Sequence, residues 1–278
     1  MATASKTKKH KKNSAHLHPT QKKMPAGQLK LEKALREAIN ECIAGQKNVA
    51  VSFSGGIDSS FIAWMAKQTG VHVIGLGVGM KGSHDSIHAR HAADALGIEL
   101  QWKELTPAEI KKIYEKIPTI LHTHDYLQCS IGTVNYAISQ FARAQKCGIL
   151  LSGTGADELF CGYGEFEKAR GNEKMAEEMR EKRMHEMEKQ NLQRENTIGK
   201  LFEIEQRNPY MHPAVVQAAI SIPSCKNLEG KYGHLRKSVL RETAIQMGLP
   251  ESIAVRPKKA MQYGSGVEKE IRKFSRTT

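Results

Sequence analysis

The chain has 278 residues, 40% of them hydrophobic, and a formal net charge of +13, enough to bury a substantial core in one large domain or two modest ones. No apolar run approaches the roughly 20 residues of a membrane span and no secretory-type apolar stretch opens the chain, which points to a cytoplasmic protein without membrane contact. Cys42, Cys129, Cys147, Cys161 and Cys225 are widely spaced and include no Cys-x-x-Cys pair, which argues for reduced thiols against a disulfide framework, structural zinc or an iron–sulfur site.

The charge is unevenly spread. Residues 1–31 hold eight lysines and three histidines but no acid, leaving +5 for the rest of the chain. Residues 1–25 lack apolar periodicity and are rich in Lys, Ser, Thr, His and Pro, the composition of a disordered basic arm. Such an arm suits nucleic acid or another acidic surface, or serves as a solubilising tail. The folded domain is expected over 26–278.

Leu31, Leu35, Ala38, Ile39, Cys42 and Ile43 recur at helical spacing and stop before Gly45, predicting a helix with a C-terminal glycine. Strands are predicted over 49–53, 71–78 and 98–102, with helices over 61–67 and 87–96 between them. A helix over 133–145 leads to a fourth strand over 148–152. This alternation predicts an α/β fold of Rossmann-like type, a parallel sheet with helices on both faces. From Glu165 to Glu195 the chain is strongly charged, with Met175, Met179, Met184 and Met187 near helical spacing; a long surface helix whose methionines pack on the domain is expected. The remainder reads as helical, with no strong strand signal.

The run Ser54-Gly55-Gly56-Ile57-Asp58-Ser59-Ser60 follows the first strand and opens a helix. Adjacent glycines turn the chain sharply and expose backbone N–H groups, and the helix N-terminus favours a polyanion. Ser54, Ser59 and Ser60 add hydroxyl donors. Asp58 would repel a phosphate unless a divalent cation stood between them, so the motif predicts phosphate together with Mg2+. A second strand end, Ser152-Gly153-Thr154-Gly155-Ala156-Asp157-Glu158, again places a carboxylate after glycines. If both ends meet over one crevice, Asp58 and Asp157 hold one Mg2+ between them. Ligands of such sheets gather beyond the carboxyl ends of the strands, near a topological switch point.

The first motif resembles the PP-loop of the ATP pyrophosphatases. Together with Ser152 to Tyr163 it resembles the synthetase domain of asparagine synthetase and of its relative β-lactam synthetase. Further matching segments follow in order: Arg194-Glu195-Asn196, Glu205-Gln206-Arg207-Asn208-Pro209-Tyr210, Leu235-Arg236-Lys237, and Arg256-Pro257-Lys258-Lys259 with Gln262-Tyr263-Gly264. The likeness spans about residues 30 to 270. It implies ATP as cosubstrate, with Ser54, Gly55, Gly56, Asp58, Ser59 and Ser60 at the phosphates. Ser52 and Val78 would line the adenine pocket and Gly153 would lie near the nucleotide. Asp58 and Asp157 would be the Mg2+ ligands. Lys258 would neutralise charge growing on the α-phosphate and the departing pyrophosphate, with Arg256 a weaker candidate.

The implied reaction is adenylation of a carboxylate, aspartate being the first guess, followed by amide formation with release of AMP and pyrophosphate. Departures from the family pattern concern the other substrates. Ala2 stands where a glutaminase domain would expose its cysteine nucleophile, so the nitrogen is expected from free ammonia or a separate glutaminase partner. Thr154 replaces a glutamate and His212 an aspartate, which leaves the acceptor open; a threonine is no carboxylate base near neutral pH. Cys161 has no nearby activating group and reads as a packing residue. Two other readings stay open: an RNA-modifying PP-loop enzyme, favoured by the basic arm, and a non-catalytic ATP-binding regulatory subunit.

Overall fold

The computed structural model describes residues 24–257 and 260–275. The basic arm up to residue 23, Lys258, Lys259 and the last three residues lie outside the described residues. In chain order the main elements are α1 (Ala26–Ile43), β1 (Asn48–Ser52), α2 (Ile57–Gln68), β2 (His72–Gly79), α3 (His84–Leu96), β3 (Glu99–Glu104) and α4 (Pro107–Tyr114). There follow α5 (Ile117–Leu121), α6 (Tyr126–Ala144), β4 (Ile149–Leu151), α7 (Ala156–Leu159), α8 (Glu173–Glu186), α9 (Gln193–Leu201) and β5 (Glu205–Arg207). The chain closes with α10 (Pro213–Ile220), α11 (Ser238–Met247), α12 (Glu251–Ala254), α13 (Met261–Gly264) and α14 (Val267–Ser275).

The strands form one parallel sheet in the order β3-β2-β1-β4-β5. Side chains alternate across it, as the period of two requires. Val49, Val51, Val73, Ile149 and Leu151 face a core built with α1, α2, α3, α10 and α11. Ala50, Leu76, Val78 and Leu150 face the opposite way, onto a second core shared with α4, α6, α9 and α14. The expected doubly covered α/β sheet is thus present. Its order reverses between β1 and β4, where the two glycine-bearing loops emerge side by side.

Three sequence expectations need correction. The region after Glu195 does contain a strand, β5, which pairs with β4 from Ile149↔Glu205 to Leu151↔Arg207. It is a short polar edge strand that buries no apolar face, so periodicity carried no sign of it. Helix α6 begins seven residues before position 133, because the Asp125 side chain accepts from the Gln128 N–H at 2.8 Å and caps it. The single long charged helix is interrupted: Asn172 caps α8, which runs through a π-type stretch, Met187–Leu192, into α9. The methionines do pack inward there, Met187 fully and Met179 and Met184 in part.

Candidate active site

The loop after β1 is held against α3. Gly55 has φ +68°, and a Cβ there would lie 2.5 Å from the His88 carbonyl oxygen, so only glycine permits the approach. The loop also folds on its own hydroxyls: the Ser54 N–H donates to Ser59 Oγ and the Gly56 N–H to Ser54 Oγ, both at 3.3 Å. The loop after β4 turns through Gly155, φ +97°. The two loops touch at Gly153, where a Cβ would sit 3.0 Å from that of Asp58.

Asp58 and Asp157 come together as the sequence suggested, and a lysine lies between them. Lys237 Nζ is 2.7 Å from both Asp58 carboxylate oxygens and 2.7 Å from Asp157 Oδ1. The lysine side chain is wholly buried, whereas those of Asp58 and Asp157 remain 21% and 19% exposed on the wall of a cavity. Burial pulls the ammonium toward neutrality, but the charges of Asp157 and Asp58 outweigh it and hold its pKa above the ordinary lysine value. Gly162 makes room for the triad: a Cβ there would lie 2.0 Å from Asp157 Oδ1 and 2.2 Å from Lys237 Cε. Leu235-Arg236-Lys237 was matched in the sequence, yet nothing in it marked Lys237 for this position. Its path is set by the left-handed backbone of Arg236 and Lys237, φ 60° and 53°.

The cavity, of about 440 Å³, extends from Ser54, Asp58 and Asp157 to α6 and α9. Its far wall carries residues that sequence reading left without a role. Glu195, buried in α9, accepts from Thr154 Oγ1 at 2.5 Å, from Asn208 Nδ2 at 3.3 Å and from Ser152 Oγ at 3.4 Å. Burial raises its pKa against those hydrogen bonds. So the threonine that cannot act as a base stands in contact with a carboxyl whose proton affinity is raised. Glu158 is shifted upward too, first by burial and then by Asp157, and it accepts from the Tyr163 hydroxyl at 2.6 Å.

A narrower recess opens beside the phosphate-type loop, lined by Ser52, Ser54, Val78, Trp102, Val134 and Met261 among others. Ser52 and Val78 therefore share a mostly apolar slot. At about 20 Å³ it holds no more than a water or so, and a nucleotide base enters only if walls such as Trp102 and Met261 part. Ser60 is not brought to the others: it is wholly buried in α2 and is absent from both cavity walls. His212 is likewise absent from both cavity walls. It caps α10, accepting from the Ala214 N–H, and sits 3.0 Å from Glu41 of α1. Cys161 is wholly buried with its thiol pushed up to about 12 by burial, a packing residue as expected. All five cysteines are free.

Lys258 lies outside the described residues, but the chain on both sides of it reaches the site. Arg256 donates to the Ser54 carbonyl at 2.7 Å and to Asp85 Oδ1 at 2.9 Å, and Arg241 donates to the Arg256 carbonyl at 3.0 Å. Arg256 thus ties this segment to the phosphate-type loop. Beyond the gap, Ala260, Met261, Gln262 and Tyr263 line the main cavity.

A family model described as asparagine synthase matches residues 30–180 and 167–278. A putative glutamine-hydrolyzing asparagine synthetase 1 of Methanocaldococcus jannaschii is 33% identical, over 88% of this chain and 51% of that protein. A glutamine-hydrolyzing asparagine synthetase 2 of Lotus japonicus is 28% identical, over 87% of this chain and 44% of its own length. The chain spans about half the length of the curated relatives it matches. Among solved structures, an NMN synthetase from Francisella tularensis aligns over 50% of this chain and 59% of its own at 18% identity, with a TM-score of 0.38, too slight an overlap to bear on function. Among the described residues no helix is long and apolar enough to cross a membrane.

Proposed function

Because the chain belongs to the asparagine synthase family, we propose that it adenylates a carboxylate with Mg-ATP and passes the acyl group to nitrogen. The observation that carries this reading is the meeting of two glycine loops at the sheet's switch point, with Asp58 and Asp157 facing one cavity over a buried Lys237.

The donor set fits Mg2+. The two carboxylates keep an exposed side toward the cavity, and after pairing with Lys237 the trio retains one net negative charge. Mg2+ takes one or two carboxylates and completes its shell with phosphate oxygens and water. When bound it neutralises phosphate charge during displacement. Lys237 fixes both aspartates from beneath at no cost of reorganisation during reaction.

Ser54, Ser59 and the backbone of Gly55 and Gly56 receive the phosphates, and Ser52, Val78 and Gly153 adjoin the nucleoside. A carboxylate oxygen of the acceptor attacks the α-phosphorus, the bond to the bridging oxygen breaks, and pyrophosphate leaves. Lys258 neutralises the charge that develops there. An amine then attacks the acyl carbon, loses a proton, and expels AMP. Glu195, with its raised proton affinity and its place against Thr154, is the group best set to receive that proton. Ammonia, free or supplied by a glutaminase, is the nitrogen source in this reading, aspartate is the first acceptor to try, and the free thiols suit a reducing cytoplasm.

The test is pyrophosphate release from Mg-ATP, with carboxylates and ammonium added singly and together. Release requiring a carboxylate and Mg2+, and falling at least about a hundredfold in Asp157→Asn and Lys258→Met, is expected on the scale of lost transition-state stabilisation. ATP binding with no release under any condition would favour the regulatory reading. Release that requires RNA and weakens with salt would favour the RNA-modifying one.

A further inference from the structure

Trp102 of β3 is a wall of the narrow recess beside the phosphate-type loop, and its indole is wedged against the glycines of β2. A Cβ at Gly77 would lie 2.3 Å from Trp102 Cε3 and Cζ3, and one at Gly79 would lie 3.1 Å from Cζ2. Gly77 and Trp102 are partners across the two strands, so the bare backbone of β2 is what admits so large a ring. The indole Nε1 is buried, and among the described residues nothing accepts its hydrogen. Asp85, Ser54 and Ser265 line the same recess, and each has a partner. Asp85 is paired with Arg256 at 2.9 Å, Ser54 Oγ accepts from the Gly56 N–H at 3.3 Å, and Ser265 Oγ accepts from the Val267 N–H at 3.4 Å.

A buried donor left without an acceptor keeps the whole cost of its desolvation. An indole nitrogen can only donate, and a buried tryptophan ordinarily has its N–H satisfied. A phenylalanine or leucine would fill this wall at no such cost, so volume alone does not account for the residue. What the recess calls for is a flat, largely apolar group with a lone pair at its edge. A nucleotide base has that character. The unsubstituted ring nitrogens of adenine, N1, N3 and N7, each hold a lone pair in the ring plane, and the faces of the ring suit the aliphatic walls Leu76, Val78, Val134 and Ile138.

We propose that Trp102 is a specificity-determining residue for the nucleotide, its Nε1–H donating to one ring nitrogen of adenine. The indole is held by its glycine bed, so Met261, on the single-turn α13, is the wall that withdraws when the base enters. The same N–H tells bases apart, because an edge that turns a hydrogen toward it is repelled. This inference rests on the reading of ATP as cosubstrate and on no later step of the reaction.

The experiment measures, by calorimetry with Mg2+ present, the binding of ATP, 1-deaza-ATP, 3-deaza-ATP and 7-deaza-ATP to the full chain and to Trp102→Phe. One of the three analogues is expected to bind the wild type about tenfold or more weakly than ATP, because it sets a C–H against the buried N–H. In Trp102→Phe the same analogue should match ATP within about twofold. The readout is the gap between analogue and ATP within each protein, which a general loosening of the fold does not reproduce. Should Trp102→Phe fail to fold, 3-benzothienylalanine introduced at position 102 keeps the bicyclic shape and replaces the N–H with sulfur. Equal binding of all four nucleotides to the wild type, no binding of ATP, or a penalty that persists in the folded variant would overturn the proposal. The expected pattern without pyrophosphate release from any acceptor would keep the role of Trp102 and sink the adenylation reading. Carboxylate-dependent pyrophosphate release with all four nucleotides bound equally would do the reverse.

Discussion

Lys237 is the residue whose removal should be felt most. It is wholly buried and its ammonium is the common partner of Asp58 and Asp157. Breaking a buried ion pair from one side costs about 3–5 kcal/mol, because the remaining charges lose their counter-ion. Lys237→Met should therefore lower stability by about that amount in denaturant titration, and the double variant Lys237→Met/Asp157→Asn should recover part of it. A single variant as stable as the wild type would show that the aspartates are solvated well enough without the lysine. The sequence exposed Asp58 and Asp157, because a carboxylate after a glycine turn is itself anomalous beside phosphate. It did not expose Lys237. The position of that lysine depends on a partner distant in the chain, 179 residues in the case of Asp58, and no local pattern encodes such a meeting.

Elements were legible in proportion to their local signal. The strand, glycine turn and helix from Asn48 to Gln68 combine an apolar run, turn residues and helix periodicity, each readable within a few residues. Strand β5 was not, because Glu205 and Arg207 lie on one side of a polar edge and pair with each other at 2.8 Å. The break between α8 and α9 also lacked a signal, since no Pro or Gly marks the π-type stretch. The loop after β1 makes its own prediction. Gly55→Ala would force a Cβ against the His88 carbonyl in a left-handed conformation, a change that destabilises by more than about 1 kcal/mol. A fall in Tm of at least about 2–4 °C is expected for a chain of this size, with ATP binding weakened at least tenfold. Unchanged ATP affinity in the folded variant would mean that this loop does not hold the phosphates.

At the scale of the molecule, the sheet order explains why two motifs far apart in sequence form one site. β1 and β4 are neighbours, with Ala50 opposite Leu150 and Val51 opposite Leu151, so the loops that follow them must emerge together. The position of the crevice was therefore readable once both motifs were placed at strand ends. Its far side was not, because α6 and α9 are joined to it only by tertiary packing. The proposed activity of this crevice is the transfer of an acyl group through an adenylate. The most direct measurement supplies the acceptor with its carboxylates labelled with oxygen-18, together with Mg-ATP and ammonium, and weighs the AMP released. Adenylation leaves one carboxylate oxygen on phosphorus when nitrogen displaces AMP, so AMP carrying a single oxygen-18 is the expected product. Unlabelled AMP formed alongside amide, or ADP as the nucleotide product, would contradict the account.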